Sequence, residues 1–273
     1  MRGLFCLGVF FSVLTAPARA ADASFPPVAE LLSPAPELPI EREELRDAVA
    51  APPDLDRFRT EIRSADPSRR RAAVLAFGTP GNFAAIPHVS AVLLRLDEDA
   101  AVRAAAAEAL GRVGDRRALS FLSQGLQDPD ERVRFAAALA LGRIDSDANV
   151  ARLERSLRKD PSWWVRYAAA GAMGGTGKAF TAGWLERALG EDPAWQVRFQ
   201  AVWALGELGT ARAAAALARG LRDPEATVRC AAALALSRIR GPRTAFILTR
   251  ALSYEEDGAV RSILAQALSK AGG

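Results

Sequence analysis

The sequence predicts an all-α protein, specifically a right-handed α-α superhelix (solenoid) of about seven similar helical hairpins. Three observations lead to this prediction. A Val-Arg pair recurs along the chain, each copy is followed by the same two helical patterns, and no stretch has the alternating pattern of a β-strand. The arginines of successive pairs are 31 or 32 residues apart, at Val102-Arg103, Val133-Arg134, Val165-Arg166, Val197-Arg198, Val228-Arg229 and Val260-Arg261.

One repeat, from Asp128 to Asp160, shows both helices. Asp128-Pro129 is a helix start signal, and Gly142 together with the polar run Asp145-Ser146-Asp147 is expected to end this first helix. The apolar residues of the first helix share one face, and those of the second share another: Val133, Ala137, Leu141 and Ile144, then Val150, Leu153 and Leu157. A single hairpin cannot bury these faces, so the hairpins must stack on one another.

The first copy is shorter and is centred on Arg70, with Leu55, Phe58 and Ile62 on the helix before it. Its text and that of the later copies, such as VRAAAAEALGRVGDRRALSFLSQGLQD from Val102 to Asp128, resemble the HEAT-like repeats named after phycobilisome lyases. The resemblance covers residues 54–273. It implies a ladder of Asp-Arg contacts between neighbouring repeats, through Asp128, Arg134, Asp160, Arg166, Asp192, Arg198, Asp223 and Arg229. We also expect these aspartates to cap helices.

The N-terminus has the pattern of a secretory signal peptide over residues 1–20. A basic residue precedes an apolar run from Leu4 to Leu14, and Ala18-Arg19-Ala20 is typical of a cleavage site. We expect cleavage after Ala20, a periplasmic or secreted protein, and no stable membrane span in the mature chain. An uncleaved anchor is the alternative. Residues 21–53 are rich in proline and are expected to form a tether with a short helix over 41–50.

We expect no nucleic-acid partner, because the basic charge is weak evidence for one and an exported protein rarely meets nucleic acid. Removing the signal peptide leaves 34 basic and 32 acidic residues, a net charge of +2, and many arginines belong to the repeat pattern. One cysteine, Cys230, remains in the mature chain, so it cannot form an internal disulfide. Either Cys230 is a small packed residue in an Ala-rich helix, or it is a redox or intermolecular site.

Aromatic residues occur at the variable positions of the Val-Arg helices in the middle of the chain. In the family these helices line the concave side, so the resemblance implies a groove lined by Phe135, Trp163, Trp164, Tyr167, Trp195, Phe199 and Trp203. One interpretation is that these rings fill the space between adjacent helices. The other is an exposed patch that binds a protein or peptide, or alternatively a glycan.

The sequence contains no convincing catalytic, cofactor or metal motif. His88 is the only histidine, which leaves a zinc or di-iron site without ligands, and a packing or surface role is expected. The run from Gly174 to Lys178 lacks the first glycine and the Ser/Thr of a phosphate-binding loop. The predicted function is therefore a non-enzymatic interaction or scaffold module of the cell envelope. An enzyme or accessory factor that resembles bilin lyases or DNA glycosylases is the alternative, and the oligomeric state is left open.

Overall fold

The computed structural model describes residues 54–144, 146–239 and 241–272, and within these ranges the chain is all α-helical. The predicted signal peptide and proline-rich tether lie outside the described residues. The fourteen α-helices of this part are α1 (Leu55–Glu61), α2 (Pro67–Phe77), α3 (Ala85–Leu93), α4 (Ala100–Val113), α5 (Leu119–Gly125), α6 (Glu131–Arg143), α7 (Asp147–Lys159), α8 (Trp163–Gly175), α9 (Ala182–Glu191), α10 (Trp195–Leu208), α11 (Ala211–Gly220), α12 (Ala226–Arg238), α13 (Pro242–Tyr254) and α14 (Gly258–Gly272). Two short 3₁₀ turns, Arg116–Ala118 and Ala179–Thr181, precede α5 and α9.

The helices alternate between two kinds, as the repeat predicts. The even-numbered helices, here called register helices, carry the recurring arginine, and the odd-numbered ones connect them. Each register helix packs against its own connecting helix, as α4 does against α3 and α14 against α13. Register helices also pack on one another, α4 on α2 and α6, and α12 on α10 and α14. The all-α hairpin architecture expected from the sequence is therefore confirmed.

The chain divides into two compact units, whose described parts are residues 54–172 and 173–272. The core of the first unit is built around the large, fully buried side chains Leu93, Leu110, Leu122, Leu141, Ile144 and Leu153. That of the second unit is built around Met173, Leu185, Leu205, Leu217, Leu236 and Leu248. Across the described ranges, no helix is at once long enough and apolar enough to pass through a bilayer.

Helix starts differ from the prediction in most repeats. Asp66 caps α2 and Pro67 is its first residue, as expected. In the next-but-one repeat, however, α6 begins at Glu131 with Asp130 as its N-cap, so Asp128 and Pro129 lie in the turn before it. The N-caps of α10 and α12 are likewise Ala194 and Glu225, so the expected capping role is wrong for Asp192 and Asp223 as well as for Asp128. Its carboxylate is occupied elsewhere, because it accepts hydrogen bonds from Arg103 and from the Asp130 backbone N–H.

Helix α6 ends at Arg143, close to the predicted polar stop, but Gly142 lies inside α6 and does not end it. The glycine is required because two register helices approach closely there: a Cβ on Gly142 would lie 2.7 Å from the Ala172 Cβ. The same glycine-alanine approach recurs in both units, at Gly78/Ala109, Gly111/Ala140, Gly174/Ala204 and Gly206/Ala235. The recurring glycine is therefore a packing residue of the helix interface.

Candidate interaction site

In the first unit, four rings gather at the start of α8 and on the neighbouring part of α6. We call Phe135, Trp163, Trp164 and Tyr167 the tryptophan cluster. Trp163 and Trp164 are stacked, with centroids 4.8 Å apart and planes at 14°. Trp164 also meets Phe135 edge-on at 5.3 Å and Tyr167 edge-on at 6.4 Å. Trp164 is thus the ring that all the others contact.

Members of this cluster differ in exposure. Phe135 is only 7% exposed, whereas Trp163, Trp164 and Tyr167 are half-buried. The expectation that Phe135 is exposed in the groove is therefore wrong, because the edge-on Trp164 packs against it. Phe135 packs against Trp164, and the other three rings keep part of their surface accessible.

In the second unit, three rings follow one face of α10. We call Trp195, Phe199 and Trp203 the ring column; their spacing of four residues places them one helical turn apart. Their rings meet edge-to-face, at 6.5 Å and 79° for the first pair and 6.1 Å and 68° for the second. All three are half-buried.

The register helix α12, which packs on α10, carries smaller residues at the positions equivalent to the ring column. These are Ala226, Cys230 and Leu234, and Cys230 is 7% exposed. The ring column is therefore bordered on this side by small side chains. The rings pack on one another and still keep accessible surface, so the site combines features of both interpretations made from the sequence.

Large apolar side chains that the sequence did not single out are more exposed than these rings. They are Phe83, Leu94, Leu96, Phe180, Phe246 and Tyr254, all on connecting helices or turns. Two of them lie under guanidinium groups, Phe83 under Arg117 at 5.3 Å and Tyr254 under Arg222 at 5.5 Å. No periodic pattern in the sequence marks these residues, because they lie outside the recurring residues of the repeat. They are scattered singly, which is ordinary for a protein surface.

The arginine of each register helix joins its own repeat to the next one. Arg134 donates to both carboxylate oxygens of Asp160, from Nε at 2.8 Å and from Nη2 at 3.1 Å. Its Nη1 donates to the backbone oxygen of Asp128 at 3.0 Å. The same two-sided carboxylate pairing joins Arg103 to Asp128 and, in the second unit, Arg198 to Asp223.

Glutamate takes the place of aspartate in two of these pairs, and neither pair was predicted from the sequence. Arg70 pairs with Glu98 at 2.6 Å and Arg229 pairs with Glu255 at 2.8 Å. Burial alone would raise the pKa of each glutamate, but the hydrogen bonds from its arginine and from a backbone N–H outweigh burial and lower it. The signal was present for Glu255, which precedes Arg261 by the usual six residues.

Arg166 and Asp192 make the corresponding hydrogen bonds with backbone atoms. Arg166 Nη1 donates to the Asp160 backbone oxygen at 3.0 Å. Asp192 accepts from the Ala194 N–H through Oδ1 at 2.9 Å, and its backbone oxygen accepts from Arg198 at 3.0 Å. Each acid thus also organises the turn that precedes its register helix.

The remaining candidates for chemistry lie in packed or turn positions. Burial raises the pKa of the Cys230 thiol to about 11, with Asp257 adding to the effect. His88 is half-buried, with its ring 6.3 Å from that of Phe58 and 6.1 Å from that of Phe77. Gly174 lies inside α8, and Gly177 turns the chain with a φ of 65°. Within the described residues, no three His, Cys, Asp or Glu side chains are grouped as metal ligands.

Comparison with known proteins supports the repeat architecture. The family model for HEAT repeats matches residues 55–127, 86–174 and 181–269. A search of curated proteins found no match. Among solved structures, the YibA protein of E. coli is 15% identical, with a TM-score of 0.54, and the alignment covers 94% of this chain and 99% of that one. The family match and this shared fold confirm the resemblance and the all-α solenoid class predicted from the sequence.

Two further structures are similar at lower TM-scores. The CpcE–CpcF complex of phycocyanin lyase from Nostoc sp. PCC7120 is 19% identical over 92% of this chain and 99% of that one, with a TM-score of 0.48. Human deoxyhypusine hydroxylase in complex with glycerol is 21% identical over 99% of this chain and 97% of that one, with a TM-score of 0.42.

Proposed function

Because the chain belongs to the family of HEAT-repeat proteins, we propose that it is a non-enzymatic scaffold that binds another protein. The proposed binding surfaces are the tryptophan cluster of the first unit and the ring column of the second. The observation that carries this proposal is that aromatic rings keep accessible surface on both helices, three in the first half of α8 and three along α10. HEAT repeats suggest interaction in general, and these rings supply the specific surface.

The chemistry of the rings favours a protein partner. Tryptophan and tyrosine contribute most strongly to protein interfaces, because they bury a large apolar area at a small cost in side-chain entropy. Rings that already pack edge-to-face are held in position before binding, which reduces the cost further. The ring column adds a length of two helical turns, which suits an extended peptide better than a small molecule.

The proposed place of action is the cell envelope, either the periplasm or the outside of the cell. The signal-peptide pattern of residues 1–20 supports this proposal. N-terminal sequencing of the mature protein tests it, with Ala21 expected as the first residue. A mature protein that begins at Met1 and fractionates with the cytoplasm would contradict it.

Partner capture from envelope extract tests the binding surface. Trp163→Ala and Trp195→Ala each remove one accessible ring, and we expect each to weaken capture at least about tenfold, the usual cost of a hot-spot ring. Phe246→Ala is the matched control, since it removes a 68% exposed ring from α13, away from the register helices.

Thermal unfolding separates binding from folding in the same variants. We expect the melting temperature to stay close to that of the wild type, because both tryptophans keep part of their surface in solvent. A large fall in melting temperature with unchanged capture would show that the rings are packing residues. Capture of glycans in place of proteins by the wild type would change the class of partner.

A further inference from the structure

We infer that the tryptophan cluster of the first unit is a docking site for the proline-rich stretch 25–39 of this same chain. The inference rests on the proposed function, because it assigns a ligand to one of the two ring surfaces. A stretch docked there competes with the external partner, so the chain regulates its own binding surface. The reasons lie in ring geometry, in the chemistry of the stretch and in its reach.

Ring geometry in the cluster suits proline. Trp164 meets Phe135 at an interplanar angle of 88° and Tyr167 at 77°, while Trp163 lies parallel to it at 14°. The partly exposed rings form an aromatic surface, and surfaces lined by aromatic rings bind proline-rich segments in other proteins. Three of the four rings keep accessible surface for such a contact.

The stretch 25–39 reads FPPVAELLSPAPELP and contains five prolines, Pro26, Pro27, Pro34, Pro36 and Pro39. Proline favours the extended polyproline II conformation before binding, so little further conformational entropy is lost on docking. Apolar residues accompany the prolines, and they provide additional area to cover the rings. This is the most proline-rich part of the mature chain.

The stretch can reach the cluster from where the described chain begins. Fourteen residues separate Pro39 from Asp54, the N-cap of α1 in the first unit. In an extended conformation they span roughly 45 Å. A compact unit of about 120 residues has a radius of gyration of about 14 Å, and is thus roughly 35 Å across. Every point on the first unit, including the tryptophan cluster, is therefore within reach.

Tethering makes even a weak contact effective. A segment joined by a short linker has an effective concentration on the order of millimolar at its site. A contact with a Kd below that value is therefore mostly formed in the intact chain. An external partner must then displace the stretch. The partner's apparent affinity is therefore its intrinsic affinity multiplied by the fraction of sites that the stretch leaves free.

The test uses the full mature chain and a variant in which all five prolines of the stretch are serine. A synthetic peptide of residues 25–39 is the probe, and binding is followed by tryptophan fluorescence. We expect the peptide to bind the serine variant about tenfold more tightly than it binds the wild type, because the tethered competitor is lost. Acrylamide should also quench tryptophan emission more strongly in the serine variant.

Ring variants locate the site. Trp163→Ala in the serine variant should abolish peptide binding, and Trp163→Leu, which keeps apolar volume and hence the fold, should weaken it strongly. Phe246→Ala should leave peptide binding unchanged, since that ring lies on α13. Circular dichroism of each variant verifies that the helices are intact.

Three results would overturn the inference. The first is equal peptide affinity for the wild type and the serine variant, and the second is peptide binding that does not depend on Trp163. The third is a quenching difference that disappears on about hundredfold dilution, because that would mean docking on a second copy. If the peptide does not bind but Trp163→Ala still loses partner capture, the proposed function stands and only this inference fails.

Discussion

At the scale of single residues, the recurring arginine performs two tasks with one side chain. Arg103 binds the Asp128 carboxylate of the next repeat through two nitrogens, both at 2.8 Å, and donates to the Glu98 backbone oxygen of its own repeat. The planar guanidinium group suits this because its donors point in fixed directions. The pair is almost fully buried, with side chains 6% and 3% exposed, so each charge depends on the other.

We expect Asp128→Ala to destabilise the protein by about 3–5 kcal/mol, because Arg103 would remain buried and charged without its carboxylate. Denaturant unfolding measures the change. Asp97→Ala is the control: Arg95 and Asp97 also pair, but their side chains are 53% and 76% exposed, so this substitution should hardly change stability. Equal losses in the two variants would show that the ladder does not stabilise the fold.

Cys230 offers a second test at this scale. Its pKa of about 11 leaves about one thiol in a thousand ionised at pH 8, against about a quarter for an ordinary thiol. We therefore expect reaction with a disulfide reagent to be more than about a hundredfold slower in the native protein than in denaturant. The rate at which the reagent's own thiol is released measures the reactivity of Cys230. Rapid reaction in the native state would favour the redox role over packing.

At the scale of helices, close approach between register helices explains the composition of the repeat. Gly111 faces Ala140, and a Cβ added to Gly111 would lie 2.7 Å from both the Cα and the Cβ of that alanine. Small side chains let the two helix backbones come together, and the arginine ladder holds their register. Alanine is abundant for the same reason, and it also favours the helix itself.

We expect Gly111→Ala to destabilise the protein by about 1–3 kcal/mol, although alanine is the better helix former, because the added methyl group forces α4 and α6 apart. Gly190→Ala is the matched control on α9, where nothing lies within 4 Å of the added Cβ, and it should stabilise slightly. Thermal unfolding compares the two. Adding Ala140→Gly should restore part of the loss, and no difference between the variants would contradict the packing role.

At the scale of the whole molecule, the repeats depend on their neighbours, and the last described helix differs from the others accordingly. Its residues Ser262, Gln266 and Lys270 are exposed, so α14 presents a polar surface where no further repeat follows in the described chain. On α12, Ser237 stands at the position of the approaching glycine in earlier register helices and is 9% exposed.

We expect removal of residues 242–273 to lower the melting temperature by at least about 5 °C and to promote aggregation, because α12 loses its apolar cover and Arg229 loses Glu255. Glu255→Gln in the full chain is the control, since it breaks the ion pair but keeps the cover. The truncated chain should melt below this variant. A truncated chain that melts like the wild type would show that the end hairpin is dispensable.

The repeat period, the two kinds of helix and the arginine ladder could be predicted from the sequence. Each depends on a residue type that returns every 31 or 32 positions from Arg103 onward, as at Arg134 and Arg166, so the same pattern recurs several times along the chain. The prediction of Asp128 as a helix cap and of Gly142 as a helix end was wrong, because helix-start and helix-stop preferences are local. The partner of Asp128 is Arg103, 25 residues away, and Gly142 is required by the close approach of Ala172.

Local periodicity was thus enough to determine that the protein is a stack of helical hairpins. Tertiary structure alone decided which rings are accessible: Phe135 and Tyr167 occupy the same repeat position, yet the first is buried and the second is half-exposed. The reason is that Trp164 packs edge-on against Phe135 across two helices. Exposure depends on the volume of side chains contributed by neighbouring repeats, and a position within one repeat does not encode that volume.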